Sequence, residues 1–228
     1  MEGGNQVNNI NIIYEDNHLL VVEKPINIPV QEDSSEDKDF LNILKRYIKE
    51  KYDKKGNVYL GLVHRLDRPV GGIMVFAKTS KSASRLSEQI RSRKLEKKYY
   101  AVVCGNINNS GTLKDKLLKD TKLNVVKIDE KGKEAILHYK KISDINNLSL
   151  IEVELETGRS HQIRVQLSNY GFPLYGDQKY NKKAVVGQQI ALYAKELCFY
   201  HPTTNKLLTF SLDLPKRTPF NLFGKGKI

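Results

Sequence analysis

The spacing of short apolar runs limits the fold of this chain more than any other feature. Strand-like segments fall at residues 10–14, 19–23, 61–63, 73–77, 98–104, 136–142, 148–155, 190–200 and 207–212, with hairpin-like spacing dominant. Helical periodicity is confined to three stretches. Phe40, Ile43, Leu44, Tyr47 and Ile48 form one stripe on a helix that should end near Gly56. Ser80 or Ser82 can cap a second helix running to about Lys94, with Ala83, Leu86 and Ile90 inward. Residues 160–170 suit a third, with Ser160 as cap and Gly171 as stop. Regular strand–helix–strand alternation is missing, as is any Gly-x-Gly-x-x-Gly loop. The expected class is therefore α+β, with a mixed, mostly antiparallel central sheet and flanking helices. No linker marks a firm boundary, so residues 1–228 read as a single domain.

The chain has 228 residues, and 39% of them are hydrophobic, enough for a core. No run of about 18 apolar residues occurs, so no membrane-spanning helix is expected. The first residues, MEGGNQVNNI, lack the basic-then-apolar order of a secretory signal. Cys104 and Cys198 lie far apart in strand-like settings, which suits reduced thiols in a cytoplasmic protein. His18, His64, His138, His161 and His201 show no metal-ligand spacing, so no metal is expected.

Charge points to a partner. The chain carries 38 basic and 26 acidic residues, a net charge of +12. Residues 78–98 hold eight basic and two acidic side chains, half of that excess, and residues 214–228 add four basic and no acidic ones. A polyanion, nucleic acid first, is the partner such clustering implies. On this reading Arg91 and Lys94, on the basic helix, contact RNA. The stretch 31–39, QEDSSEDKD, is acidic and reads as a solvated connector.

Three segments hold the polar groups that could do chemistry. The first, HRLDRPVGG, runs from His64 to Gly72 between two apolar runs. It places one carboxylate, Asp67, among His64, Arg65 and Arg68, with no second acid nearby. A paired-carboxylate glycosidase scheme therefore has weak support. An ionised carboxylate can be a nucleophile or a base, and an arginine beside it would keep it ionised. Arg164 is the candidate partner. The second segment is KKYYAVVCG, residues 97–105, in which Tyr99 and Tyr100 must face opposite sides of a strand. A ring facing a cleft could stack on a base. The third is ETGRSHQIRVQL, residues 156–167, followed by GFPLYGDQKY. It gathers Arg159, His161 and Arg164 at a helix start, where anions are favoured.

Together these motifs resemble the RluA-type pseudouridine synthases, which isomerise uridine in RNA. The resemblance runs from IIYEDNHLLVVEKP to GFPLYGDQKY, nearly the whole chain. It implies a pseudouridine synthase fold: a largely antiparallel sheet with flanking helices, split by a central RNA-binding cleft. It implies no cofactor and no metal. Asp67 matches the essential aspartate, Tyr99 the tyrosine that packs on the target base, and Arg164 the arginine that pairs with the aspartate. Arg65 matches the arginine linked to displacing the base or filling its place, and Ile163 or Val165 an apolar wall. Two departures stand out. Many members follow HRLD with two residues and Thr-Ser-Gly, where this chain has Arg68-Pro69-Val70-Gly71-Gly72. Many also carry an N-terminal S4 RNA-binding domain, for which the residues before Ile12 leave no room.

The expected function is isomerisation of specific uridines in structured ribosomal or transfer RNA by a cytoplasmic monomer. The target base must be flipped out of the RNA, at a cost of a few kcal/mol. Pro69, Gly71 and Gly72 would make a tight turn allowing close approach of the RNA backbone. The rivals are a non-catalytic RNA-binding or RNA-folding protein that retains the fold, and a hydrolase of glycosidic bonds in nucleic acid.

Overall fold

A computed structural model describes residues 10–32 and 37–224. The middle of the acidic connector and the last four residues of the basic tail lie outside the described residues. In chain order the elements begin with β1 (Asn11–Glu15), β2 (Leu19–Lys24), α1 (Phe40–Lys51), β3 (Gly61–Leu62), β4 (Gly71–Ala77) and α2 (Ser80–Arg91). They continue with β5 (Glu96–Cys104), β6 (Ser110–Asp120), β7 (Val125–Ile128), β8 (Lys133–Ile145) and β9 (Leu148–Leu155). Last come α3 (Gln162–Asn169), β10 (Leu192–Tyr200) and β11 (Leu207–Ser211). The class is α+β. Two compact units emerge: Met1–Leu95 with Glu196–Leu212, and Glu96–Lys195 with Asp213–Ile228.

In the first unit, β1 and β2 form a hairpin. Asp16 closes its turn, because Oδ1 accepts from the backbone N–H groups of His18 and Leu19, both at 2.7 Å. Strand β2 pairs antiparallel with β4, from Leu19 opposite Ala77 to Lys24 opposite Gly72. All seven residues of β4 are buried, so both faces need cover. On one face Leu19, Val21, Ile73, Val75 and Ala77 pack with Leu86 of α2 and with Leu197 and Phe199 of β10. On the other, Phe76 meets Phe40 of α1 at 6.1 Å between ring centroids. Fully burying one such side chain is worth about 1.5–3 kcal/mol. Glu15 ties α1 to the sheet, accepting from Tyr47, Lys51 and Tyr52 as well as from Lys78 beyond β4.

Both helix ends of α2 differ from expectation. Its cap is Thr79, whose Oγ1 accepts from the Ser82 N–H at 3.1 Å. The helix stops at Arg91, since Arg93 turns left-handed (φ 57°) and the Lys94 N–H closes back on the Gln89 carbonyl at 2.8 Å. Lys94 therefore lies beyond the helix. Likewise α1 ends at Lys51, short of Gly56.

The second unit holds an antiparallel sheet in the order β5–β9–β8–β6–β7. Strands β6 and β7 are not expected from the sequence, and β8 is longer than expected. In β6 only Leu113 and Leu117 of the inward set are buried apolar residues. Between them Asp115 turns inward to accept from the Gln166 amide at 2.7 Å, which breaks the apolar alternation. Helix α3 supplies six consecutive buried residues, Gln162 to Leu167. It starts later than expected. His161, in a left-handed conformation (φ 51°), occupies the cap without a capping side-chain bond, and Ser160 does not cap it. Gly171 does close the helix, at φ 91°, with the Phe172 N–H returning to the Leu167 carbonyl.

Candidate active site

Of the residues singled out from sequence, His64, Arg65, Asp67, Arg91 and Lys94 belong to the first unit. Tyr99, Arg159, His161, Ile163 and Arg164 belong to the second.

In the first unit the HRLD turn follows the short strand β3. Gly61 and Leu62 pair with Ala77 and Phe76, and the chain then leaves the ladder. His64 takes over: its Nε2 accepts the Val75 N–H at 3.1 Å, so the ring replaces the next strand carbonyl. That nitrogen carries no proton, and the imidazole anchors the turn to β4. Asp67 follows, half-buried, with its own carbonyl accepting the Val70 N–H at 2.9 Å to close a four-residue turn.

Beneath this turn lies Lys24, the last residue of β2, with no solvent exposure. Its Nζ donates to the carbonyls of Pro25 (2.8 Å), Arg68 (3.1 Å) and Val70 (2.8 Å). Three donors meet three acceptors, so the ammonium is saturated. Burial pushes its pKa down to about 7, against the pull of the Asp67 carboxylate and with the push of Arg68. Within VVEKP, Lys24 has no role that the sequence alone assigns. A lysine ending an apolar strand was the available signal.

The glycines after the turn also have a task inside the sheet. Gly72 sits at φ 121°, which side chains rarely adopt. A Cβ on Gly71 would come 3.0 Å from the Ile26 side chain and 3.1 Å from the Lys24 carbonyl. Both serve the close pairing of β4 with β2. Arg65 and Arg68 are exposed at the turn. Arg68 donates to the Asn27 carbonyl and pairs with Asp37 of the acidic connector, and Arg65 reaches Gln31 at 3.4 Å. Arg91 and Lys94 are exposed too, and Arg91 pairs with Glu88 on its own helix.

In the second unit Tyr99 is buried on β5, opposite Val153. Tyr100 leaves the strand on the other face, where the Lys195 ammonium stands 4.7 Å from its ring centroid. Helix α3 holds Arg164, which is buried. Its Nε and Nη2 donate to the two oxygens of Asp177, both at 2.8 Å. The guanidinium carbon lies 5.2 Å from the centroid of the Tyr180 ring. Tyr180 in turn has its hydroxyl 2.7 Å from His161 Nδ1 and accepts the Val126 N–H. Asp177 and Tyr180 come from GDQKY, where the sequence alone assigns neither residue a role. Breaking such a buried pair by removing one partner costs about 3–5 kcal/mol.

The loop before α3 is held by Gln162. Its Oε1 accepts from the Thr157 hydroxyl (2.9 Å) and the Arg159 N–H (3.0 Å), and its amide donates to the Ile136 carbonyl. Arg159 is exposed, with Nε donating to the Glu134 carbonyl. Ile163 is buried, and Val165 packs with Leu117, Val126 and Ala135 in the core. Among the described residues no cluster of His, Cys, Asp and Glu could hold a metal ion, and no helix is long and apolar enough to cross a membrane.

A family model described as RNA pseudouridylate synthase matches residues 18–169. The chain is 35% identical over 222 residues to ribosomal large subunit pseudouridine synthase D of Zymomonas mobilis, covering 91% of this chain and 70% of that protein. It is 36% identical to ribosomal large subunit pseudouridine synthase C of Buchnera aphidicola, over 91% of this chain and 68% of that one. The solved structure of human RNA pseudouridylate synthase domain containing 4 matches with a TM-score of 0.78 at 24% identity, covering 93% and 92% of the two chains. That likeness concerns the fold.

Proposed function

The chain belongs to the RNA pseudouridylate synthase family, and from that premise we propose a ribosomal RNA enzyme whose catalytic carboxylate is Asp67. The reaction class itself is settled by the family: the protein is an isomerase that converts uridine in RNA to pseudouridine. The N1–C1′ bond breaks, the uracil turns, C5 bonds to C1′ and gives up its proton, and N1 takes up a proton. No atom is gained or lost. A carboxylate beside the ribose can serve by attacking C1′ or by taking the 2′ proton, and Asp67 fits either route.

The observation that carries the assignment is the seat of Asp67. It is the half-buried acid of a turn whose backbone is tied down by His64 and Lys24. Preorganised geometry of this kind suits a group that must meet a reacting carbon. In this reading Tyr99 packs on the flipped uracil, Ile163 adds apolar wall, and Arg164, itself fixed by Asp177, supplies positive charge for the carboxylate. Arg65, exposed on the same turn as Asp67, takes the place left by the flipped base. His64 supports that turn, and Arg159, His161, Arg91 and Lys94 hold RNA phosphates. The catalytic domain spans residues 1–228 and works as a cytoplasmic monomer without a metal.

Ribosomal RNA is favoured over transfer RNA because the relatives above carry ribosomal large subunit in their names. Tritium release from RNA labelled at uridine C5 tests the substrate. Release from the ribosomal fraction is the expected result. Release confined to the transfer RNA fraction would overturn the substrate assignment.

A further inference from the structure

Lys97 precedes Tyr99 by two residues on β5, so both side chains leave the strand on one face. Its side chain is half-buried, and among the described residues its ammonium has neither a hydrogen-bond acceptor nor an ion-pair partner. Burial holds its pKa below the usual lysine range. The Nζ lies 3.2 Å from the point that a Cβ on Gly158 would occupy. Gly158 is exposed and lacks that atom, so no side chain at 158 stands between the ammonium and the exposed turn. The next residue, Arg159, adds a second exposed cation to the same turn.

A partly dry cation without a counter-charge is costly to keep. Lys24 is also buried, yet three carbonyls satisfy it. Lys97 has no such set. A phosphate brings a full negative charge and several acceptor oxygens, enough to satisfy an ammonium that has no carbonyl set of its own. We propose that Lys97, lying beside the exposed Gly158, is a subsite for one RNA backbone phosphate next to the nucleotide whose base packs on Tyr99. The inference rests on the reading that the Tyr99 face of β5 receives RNA.

The test compares wild type with Lys97→Met and Lys97→Arg. Affinity for a single-stranded oligouridylate is measured across a salt series, with KM and kcat on ribosomal RNA. For a single strand, each phosphate that the protein no longer neutralises lowers the slope of log affinity against log salt by about 0.7. Lys97→Met should show that reduction, a KM raised roughly tenfold, a nearly unchanged kcat, and a Tm equal to or above wild type, since an unpaired cation has been removed. Lys97→Arg should keep the wild-type slope. An unchanged slope in Lys97→Met overturns the proposal, as does a lowered Tm with the defect confined to kcat. Tyr99→Leu, run alongside, separates the two ideas. If it keeps full turnover, the underlying reading fails. If it is inactive while Lys97→Met keeps the wild-type slope, only the Lys97 subsite fails.

Discussion

The Nζ of Lys24 lies 2.8 Å from the carbonyl oxygen of Val70, in a position with no solvent exposure. A side chain at the end of one strand thus holds the backbone that enters the next strand, and the turn carrying Asp67 lies directly before that point. Two more carbonyls, of Pro25 and Arg68, complete the clamp.

Lys24→Met should leave those three carbonyls without their donor. Each unsatisfied buried group costs about 1–3 kcal/mol, but the cost of burying a cation disappears with it. A net loss of about 1–3 kcal/mol is expected in urea unfolding. Turnover should fall further than RNA affinity, because the loosened turn no longer presents Asp67 correctly. Wild-type stability together with wild-type turnover would show that the clamp has no role.

The pairing of Arg164 with Asp177 should resist single replacement. Asp177→Asn takes away the charged group that accepts from Nε and Nη2 of the buried guanidinium, and a loss of about 3 kcal/mol is expected. A double-mutant cycle with Arg164→Met and Asp177→Asn should give a coupling above about 1 kcal/mol. Additive losses would mean that the two side chains do not support each other.

Acid should weaken the first unit through Glu15. Burial alone would raise its carboxyl, yet hydrogen bonds from Lys51, Lys78, Tyr52 and Tyr47 outweigh this and hold it at about 2, against 4.5 for a free glutamate. The unfolded chain therefore binds this proton first as pH falls. The stabilisation is complete above pH 4.5 and is lost between there and pH 2. It amounts to on the order of 2 kcal/mol, allowing for the solvent that reaches Lys51. The stability gap between wild type and Glu15→Gln should shrink by about that much on acidification. A gap independent of pH would contradict the assignment.

The basic patch should respond unevenly to charge reversal. Arg91 pairs with Glu88, so part of its charge is already engaged. Lys94→Glu should therefore weaken RNA binding more than Arg91→Glu, with turnover of bound RNA affected less than affinity. Filter binding at two salt concentrations checks this. Equal affinity after both reversals would remove this region from the RNA interface.

Where side chains act on near neighbours, the fold was legible in the sequence. The stripe Phe40, Ile43, Leu44, Tyr47 and Ile48 marks α1 because helical packing repeats along the chain, and Gly171 marks the end of α3 because few other residues adopt its backbone angles. The opposite faces of Tyr99 and Tyr100 follow from strand geometry alone. Interactions between distant residues were not legible. Asp115 turns inward to meet Gln166, so β6 reads as a polar stretch. Lys24 looks like a surface lysine until residues 68 and 70 come to rest on it. Asp177 stands 13 residues from Arg164, and nothing local pairs them. His161 starts α3 without a capping side chain, so Ser160 misled by being the better capping residue type. The candidate site residues were found by motif, whereas the groups that hold them in place required coordinates.

The central claim is that Asp67 carries the chemistry, and tritium release from ribosomal RNA labelled at uridine C5 tests it most directly. Asp67→Asn should bind RNA with near wild-type affinity and release tritium at no more than about a thousandth of the wild-type rate, a loss of roughly 4 kcal/mol of transition-state stabilisation. Release by this variant at the wild-type rate would place the essential group elsewhere.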